Sequence, residues 1–197
     1  MTMGIIDVII DADGFWNEDA RHHCIRELSI YNLSTHRSET HYFWPCRLYS
    51  SLRASEQTTV RWAQSFLHGL PYDPLPPETP IGNCHGIKPY VKQILTNAKV
   101  QTGKQNLVVG YKAGEMLKHI LLSVDGIEMC DLNKMGCPPL RELLLRQMES
   151  SIENRHMFER VCDYSIHDLN KKFHLLRHCS KQKVFVYAWW VMEGRFR

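Results

Sequence analysis

The chain has 197 residues, 44% of them hydrophobic and 23% charged, the balance of a globular protein with a substantial core, and residues 1–197 read as one domain. A formal net charge of +3 does not by itself demand nucleic acid, nor does it oppose it. No apolar run approaches the roughly 20 residues that cross a membrane, so a membrane partner is not expected. The seven cysteines are odd in number, show no compact framework and follow no secretory signal, so reduced thiols in a cytoplasmic or nuclear protein are expected.

Residues 4–15 read as a first strand. Isoleucine and valine fall on both parities, so both faces are covered. Asp11 and Asp13 then share one face, about 6–7 Å apart along the strand. Gly14 permits a turn after them, which leaves the pair at the strand's C-terminal end, where α/β sheets hold ligands. Two neighbouring carboxylates with no base between them favour a bound divalent cation or a raised pKa. The plain alternative is an Asp-Ala-Asp-Gly turn with no chemistry. Residues 15–21 read as a loop, in which Trp16 is placed to stack a base.

Residues 24–33 and 39–44 read as second and third strands, the last stopped by Pro45, which suggests an antiparallel meander. Residues 57–67 change to helical period through Val60, Ala63 or Gln64, and Leu67, with Trp62 and Phe66 as a second apolar line, and Gly69 ends the helix. Five prolines in residues 71–80 mark an irregular connection, a candidate flap. Residues 87–98 read as a helix with Ile87, Val91, Ile94 and Leu95 on one side. A basic middle formed by Lys88, Lys92, Lys99, Lys104 and Lys112 can hold phosphates in a salt-sensitive way, or simply face solvent.

Residues 106–111 read as a short buried strand, 114–122 as a helix with Met116, Leu117, Ile120 and Leu121 inward, and 127–132 as a last strand. Pro138 and Pro139 open a further helix whose buried face carries Leu140, Leu143, Leu144 and Met148. Residues 149–155 are polar. Residues 161–179 hold cysteine and histidine without a clean period. Ser180 is placed to cap a final helix over 181–193, with Val184, Phe185, Ala188, Trp189 and Met192 inward. The order β-β-β-α-(α)-β-α-β-α-α predicts an α/β fold on one mixed sheet, three antiparallel strands followed by parallel ones, flanked by helices.

This order, with an acidic pair on strand one, resembles the RNase H-like fold, and within it the DEDDh class of 3′–5′ exonucleases. The resemblance implies a nuclease, a hydrolase in which two metal ions, magnesium or manganese, activate water while a histidine serves as general base on single-stranded RNA or DNA. Ile10-Asp11-Ala12-Asp13-Gly14 matches the first motif, with Asp13 in place of Glu. Residues 108–112 resemble the strand before the second acidic residue, and Glu115 is the nearest acid to the expected position. Residues 177–183 resemble the third motif: His178 matches the general base, whereas Lys183 stands where its aspartate belongs, and a charged lysine cannot ligate a cation.

In lacking the full acidic set the chain is similar to Maelstrom, the germline small-RNA-pathway protein, which carries a Glu-Cys-His-Cys zinc site instead. The resemblance implies a zinc site from Cys162, His167 and Cys179, with Asp11, His174 or His178 as a fourth ligand; buried free thiols are the plain alternative. A diffuse resemblance to uncharacterised arthropod and transposon-associated proteins covers most of the chain, through Arg26-Glu27-Leu28, His68-Gly69-Leu70 and the closing Cys/His group. Three functions are therefore expected to compete: a nucleic-acid-acting RNase H-like domain with a degenerate site and a zinc-stabilised C-terminal region, an active metal-dependent exonuclease, and a non-catalytic module that assembles with protein partners.

Overall fold

The computed structural model describes residues 6–17, 22–74, 80–112, 114–150 and 179–194. Its strands are β1 (Val8–Asn17), β2 (His22–Asn32), β3 (Arg37–Trp44), β4 (Gly82–Asn83), β5 (Leu107–Tyr111) and β6 (Ile127–Asp131). Its α-helices are α1 (Ala54–Phe66), α2 (Ile87–Thr102), α3 (Glu115–Leu121), α4 (Leu140–Ser150) and α5 (Ser180–Gly194). The sheet has six strands in the order β4-β3-β2-β1-β5-β6. β1, β2 and β3 form the expected antiparallel meander. β5 and β6 continue the sheet in parallel. The two-residue edge strand β4, parallel to β3, was not expected from the sequence: two residues carry no readable alternation.

β1 is central because its two faces serve two cores. Val8 and Ile10, with Leu28 and Ile30, pack on Val91 and Leu95 of α2 and on Leu117 and Leu121 of α3. Ile9, with Tyr31, packs on Leu143 of α4 and on Val184, Ala188 and Val191 of α5. The alternation of a strand therefore sends Asp11 and Asp13 to the α5 face.

The strand does not turn at Gly14, as expected, but runs on to Asn17 with a register shift between Asp13 and Gly14. Asp13 pairs with Glu27 and Gly14 with Ile25, so Arg26 is the extra residue of a β-bulge on β2. Gly14 is required there: a Cβ on it would lie 2.1 Å from the Cys24 carbonyl oxygen and 2.8 Å from the Ile25 Cα. The acidic pair nevertheless stands at the end of the parallel ladder, because β5 pairs only with Val8, Ile9 and Ile10.

Two helices bury faces that differ from the periodicity. Trp62 and Phe66 of α1 are exposed at 53% and 50% and lie against each other, while Val60 and Ala63 face inward. In α5 the buried apolar residues are Val184, Val186, Tyr187, Ala188 and Val191, with Phe185, Trp189 and Met192 half-buried around them. The helix is apolar on most of its circumference because it is wedged between the sheet and α4, so no single stripe defines it. Among the described residues no helix is long and apolar enough to cross a membrane.

Candidate active site

The N-terminus of α5 is fixed to the sheet by Glu27, directly opposite Asp13 on β2. Glu27 Oε1 accepts from the Ser180 backbone N–H at 2.8 Å and from the Ser180 hydroxyl at 2.7 Å. With its one proton directed to the carboxylate, Ser180 Oγ accepts from Ser29 at 2.7 Å, and Ser29 in turn accepts from Thr40 Oγ1 at 2.9 Å. A helix leaves its first N–H groups without partners. Here a strand glutamate and the Cys179 thiol, which accepts from the Gln182 N–H at 3.5 Å, take the capping role expected of Ser180. Ser180 is itself the first helical residue.

Three residues further along α5, the Lys183 ammonium reaches β1. Lys183 Nζ donates to Asp11 Oδ1 at 2.9 Å and to Asp13 Oδ1 at 2.6 Å. All three side chains are at least 85% removed from solvent. Burial pushes the Asp11 carboxyl up to about 7; Lys183 draws it down and the Asp13 charge pushes it up again. Burial works against the charge of Lys183, but Asp11 and Asp13 outweigh it and hold the ammonium well above the usual lysine range. One cation between two carboxylates leaves the cluster one negative charge in excess, and the Asp11 proton is the term that adjusts it.

His68 stands beside this cluster, almost fully buried. Its Nδ1 accepts from the Leu70 N–H at 3.1 Å, so its Nε2 carries the proton and donates to the Gly14 carbonyl at 3.2 Å. Burial lowers its pKa, Asp13 opposes that and Lys183 adds to it. Tyr187, one turn beyond Lys183, has its phenol pushed far up by burial and next by the Asp11 charge.

The implied magnesium or manganese does not fit Asp11 and Asp13 as they stand, because the ammonium takes the position between the two carboxylates that a cation would need. Asp13 Oδ2 is buried and has no hydrogen-bond partner among the described residues, which leaves one ligand oxygen rather than a coordination shell. Lys183, Glu27 and His68 are the site residues that the sequence did not single out for this role. Lys183 was visible as a departure from the exonuclease motif, but its partners were not.

The other expected site residues are placed as follows. Glu115 opens α3. His178, Cys162, His167 and His174 lie outside the described residues. Cys179 is buried at the start of α5, adjacent to the Ser180 that Glu27 holds. Trp16 is 44% exposed on β1 beyond the bulge. Lys88 and Lys92 are exposed one turn apart on α2, which packs on the opposite face of the sheet from Asp11 and Asp13. Lys112 corrects the expectation of a basic surface: it is 9% exposed, it donates to the carbonyls of Cys137, at 2.5 Å, and Pro138, and it lies over the Tyr187 ring. Its ammonium ties the segment before α4 to β5, where main-chain carbonyls replace water. Lys104 is likewise committed, to Asp7 at 2.6 Å.

Comparison with solved structures gives the Mopeia virus exonuclease domain, in one structure from a soak with alendronate and in another partially complexed with manganese. Each matches at a TM-score of 0.53 and 14% identity, covering 96% of this chain and 78% or 77% of that one. No family model and no curated protein matches the chain. The likeness concerns the fold: the chain has the α/β, RNase H-like architecture with a mixed six-stranded sheet.

Proposed function

We propose that the chain is a nucleic-acid-acting RNase H-like domain, related to 3′–5′ exonucleases, whose acidic centre is degenerate. The observation that carries this reading is the Lys183 ammonium between Asp11 and Asp13. A lysine supplies the positive charge that holds the two carboxylates together, but it has no open coordination position at which to activate water. The arrangement keeps the first strand and the last helix joined without a metal ion. Single-stranded nucleic acid, RNA included, is the proposed partner, with Trp16 offering a stacking surface and Lys88 and Lys92 contributing phosphate contacts from α2.

The same reading includes a zinc-stabilised C-terminal region built on Cys162, His167 and Cys179. Asp11 is engaged by Lys183. Glu27 is likewise engaged, by the Ser180 N–H and hydroxyl, so of the expected fourth ligands His174 or His178 completes the site. Imidazole and thiolate make a zinc donor set, and such a site would hold the helix that delivers Lys183.

The test is incubation of labelled single-stranded RNA and DNA with the purified chain in magnesium and in manganese, beside binding titrations at several salt concentrations. No degradation, with binding that weakens as salt rises, is the expected result. Turnover abolished by Asp11→Asn would replace this reading with an active exonuclease employing Asp11, Asp13, Glu115 and His178. Neither turnover nor salt-dependent binding would leave the assembly module.

A further inference from the structure

The described residues hold one other concentration of ligating side chains, and nothing in the acidic centre uses it. Cys24 lies on β2, opposite Phe15 of β1. Cys46 lies in the turn after β3, and Cys84 follows β4 directly. Their three sulfur atoms lie within 4.8 Å of one another. Cys46 and Cys84 are joined in a disulfide, with Cα atoms 6.0 Å apart, and the Cys24 sulfur is 3.1 Å from that of Cys84. A disulfide accounts for two of these sulfurs, and the third, the Cys24 thiol, donates to the Cys84 sulfur beside it. Tetrahedral zinc accounts for all three: zinc–sulfur bonds of about 2.3 Å put its thiolates about 3.8 Å apart.

We propose that in the reduced chain Cys24, Cys46 and Cys84 are thiolate ligands of one zinc ion, with the fourth position of the tetrahedron on the Cys46 side. The surroundings suit that ion. Cys24 and Cys84 are buried and Cys46 is half-buried, so the site is closed on two sides and open on one. Three thiolates on a divalent cation carry one net negative charge. Arg26, the fully buried bulge residue two positions from Cys24, donates to the carbonyls of Tyr72, at 2.6 Å, and of Phe43, and its charge acts on Cys24.

The site also has structural work to do. β4 has only two residues and follows the proline-rich connection; two ladder positions on β3 hold little. A metal bridging β2, the turn after β3 and the residue after β4 pins this edge to the sheet. Reaching the site from the disulfide takes two electrons and two protons from a thiol reductant, and zinc then displaces three thiol protons.

This proposal is independent of the reading of Asp11, Asp13 and Lys183, and a third variant separates it from the Cys162 zinc site. The full chain is purified under a thiol reductant with zinc present, and zinc is counted per chain for the wild type, Cys24→Ser, Cys84→Ser and Cys162→Ser. The Cys24 and Cys84 variants are expected to lose one zinc equivalent each, whatever Cys162→Ser does. An unchanged zinc count in folded Cys24 and Cys84 variants overturns the site. Because these variants can fail to fold, the wild type is also mapped by alkylation and peptide mass spectrometry. Cys24, Cys46 and Cys84 should be protected together with zinc and modified together after chelation. A cross-linked Cys46–Cys84 peptide beside a modified Cys24, in the reduced and zinc-loaded chain, overturns the proposal equally.

Discussion

Lys183 and Asp13 are 170 residues apart in the chain and 2.6 Å apart in the fold. The contact joins the first strand to the last described helix through buried charge. A buried pair of this kind is costly to break from one side, since the remaining charge stays desolvated.

Replacing the cation by an anion should convert the site. Lys183→Asp puts three carboxylates together, an arrangement that calls for a divalent ion. Manganese should raise the melting temperature of this variant and leave that of the wild type unchanged; at a hundredfold excess over the dissociation constant the gain is about 2.7 kcal/mol. A variant that unfolds less readily without manganese than with it would remove the idea that Lys183 stands in for an ion.

Asp11 gives the wild type a specific pH dependence. Its pKa is raised in the folded chain from the unfolded value of 3.8 to about 7, so between those values the folded state holds a proton that the unfolded state has released. Folding stability from this group is therefore greatest at acid pH and falls as pH rises through that window, by at most about 1.4 kcal/mol per pH unit, levelling off above it. Asp11→Asn carries no such proton. The difference in unfolding free energy between wild type and variant, measured in denaturant from pH 4 to 8, should shift in the variant's favour up to about pH 7 and then level off; a constant difference throughout would show that Asp11 titrates normally.

The Glu27 cap can be weighed separately. Glu27→Ala leaves the buried Ser180 N–H without its acceptor, and should cost about 2–3 kcal/mol and lower the melting temperature by about 4–12 °C. Glu27→Gln keeps one acceptor and should lose less. Amide exchange along 180–183 should accelerate in Glu27→Ala ahead of exchange in α2; equal change in both helices would mean that the cap is not local.

Gly14→Ala tests the bulge. The added methyl meets main-chain atoms of Cys24 and Ile25, which cannot move aside as a side chain would. A loss of about 3 kcal/mol or more is expected, since overpacking against backbone has no cheap relaxation. Thermal unfolding of this variant within a degree or two of wild type would show that β1 can leave the bulged register.

His68 should make the chain sensitive to acid. Buried and held neutral below its usual pKa, it resists a proton that the unfolded chain accepts from about pH 6.5 downward, so stability is lost as pH falls below that value. His68→Gln, which has no such proton to gain, should flatten the acid limb of the stability curve; an unaltered limb would assign it to other groups.

The sequence alone determined the elements whose side chains repeat: β1, β2, β3 and β5, the inward stripes of α2 and α3, and the placing of Asp11 and Asp13 on one face, because period and β-branching are local properties. It also marked Lys183 as a misfit, since a lysine in an acidic motif is visible without coordinates. Only the tertiary structure decided what that lysine does, that Glu27 caps α5, that Lys112 is buried under α5 rather than offered to phosphate, and that Cys24, Cys46 and Cys84 meet. Those contacts join residues separated by tens to more than a hundred positions, and no local spacing encodes them; they exist because the sheet order brings β1 and β2 under α5 and sets the turn after β3 beside the end of β4.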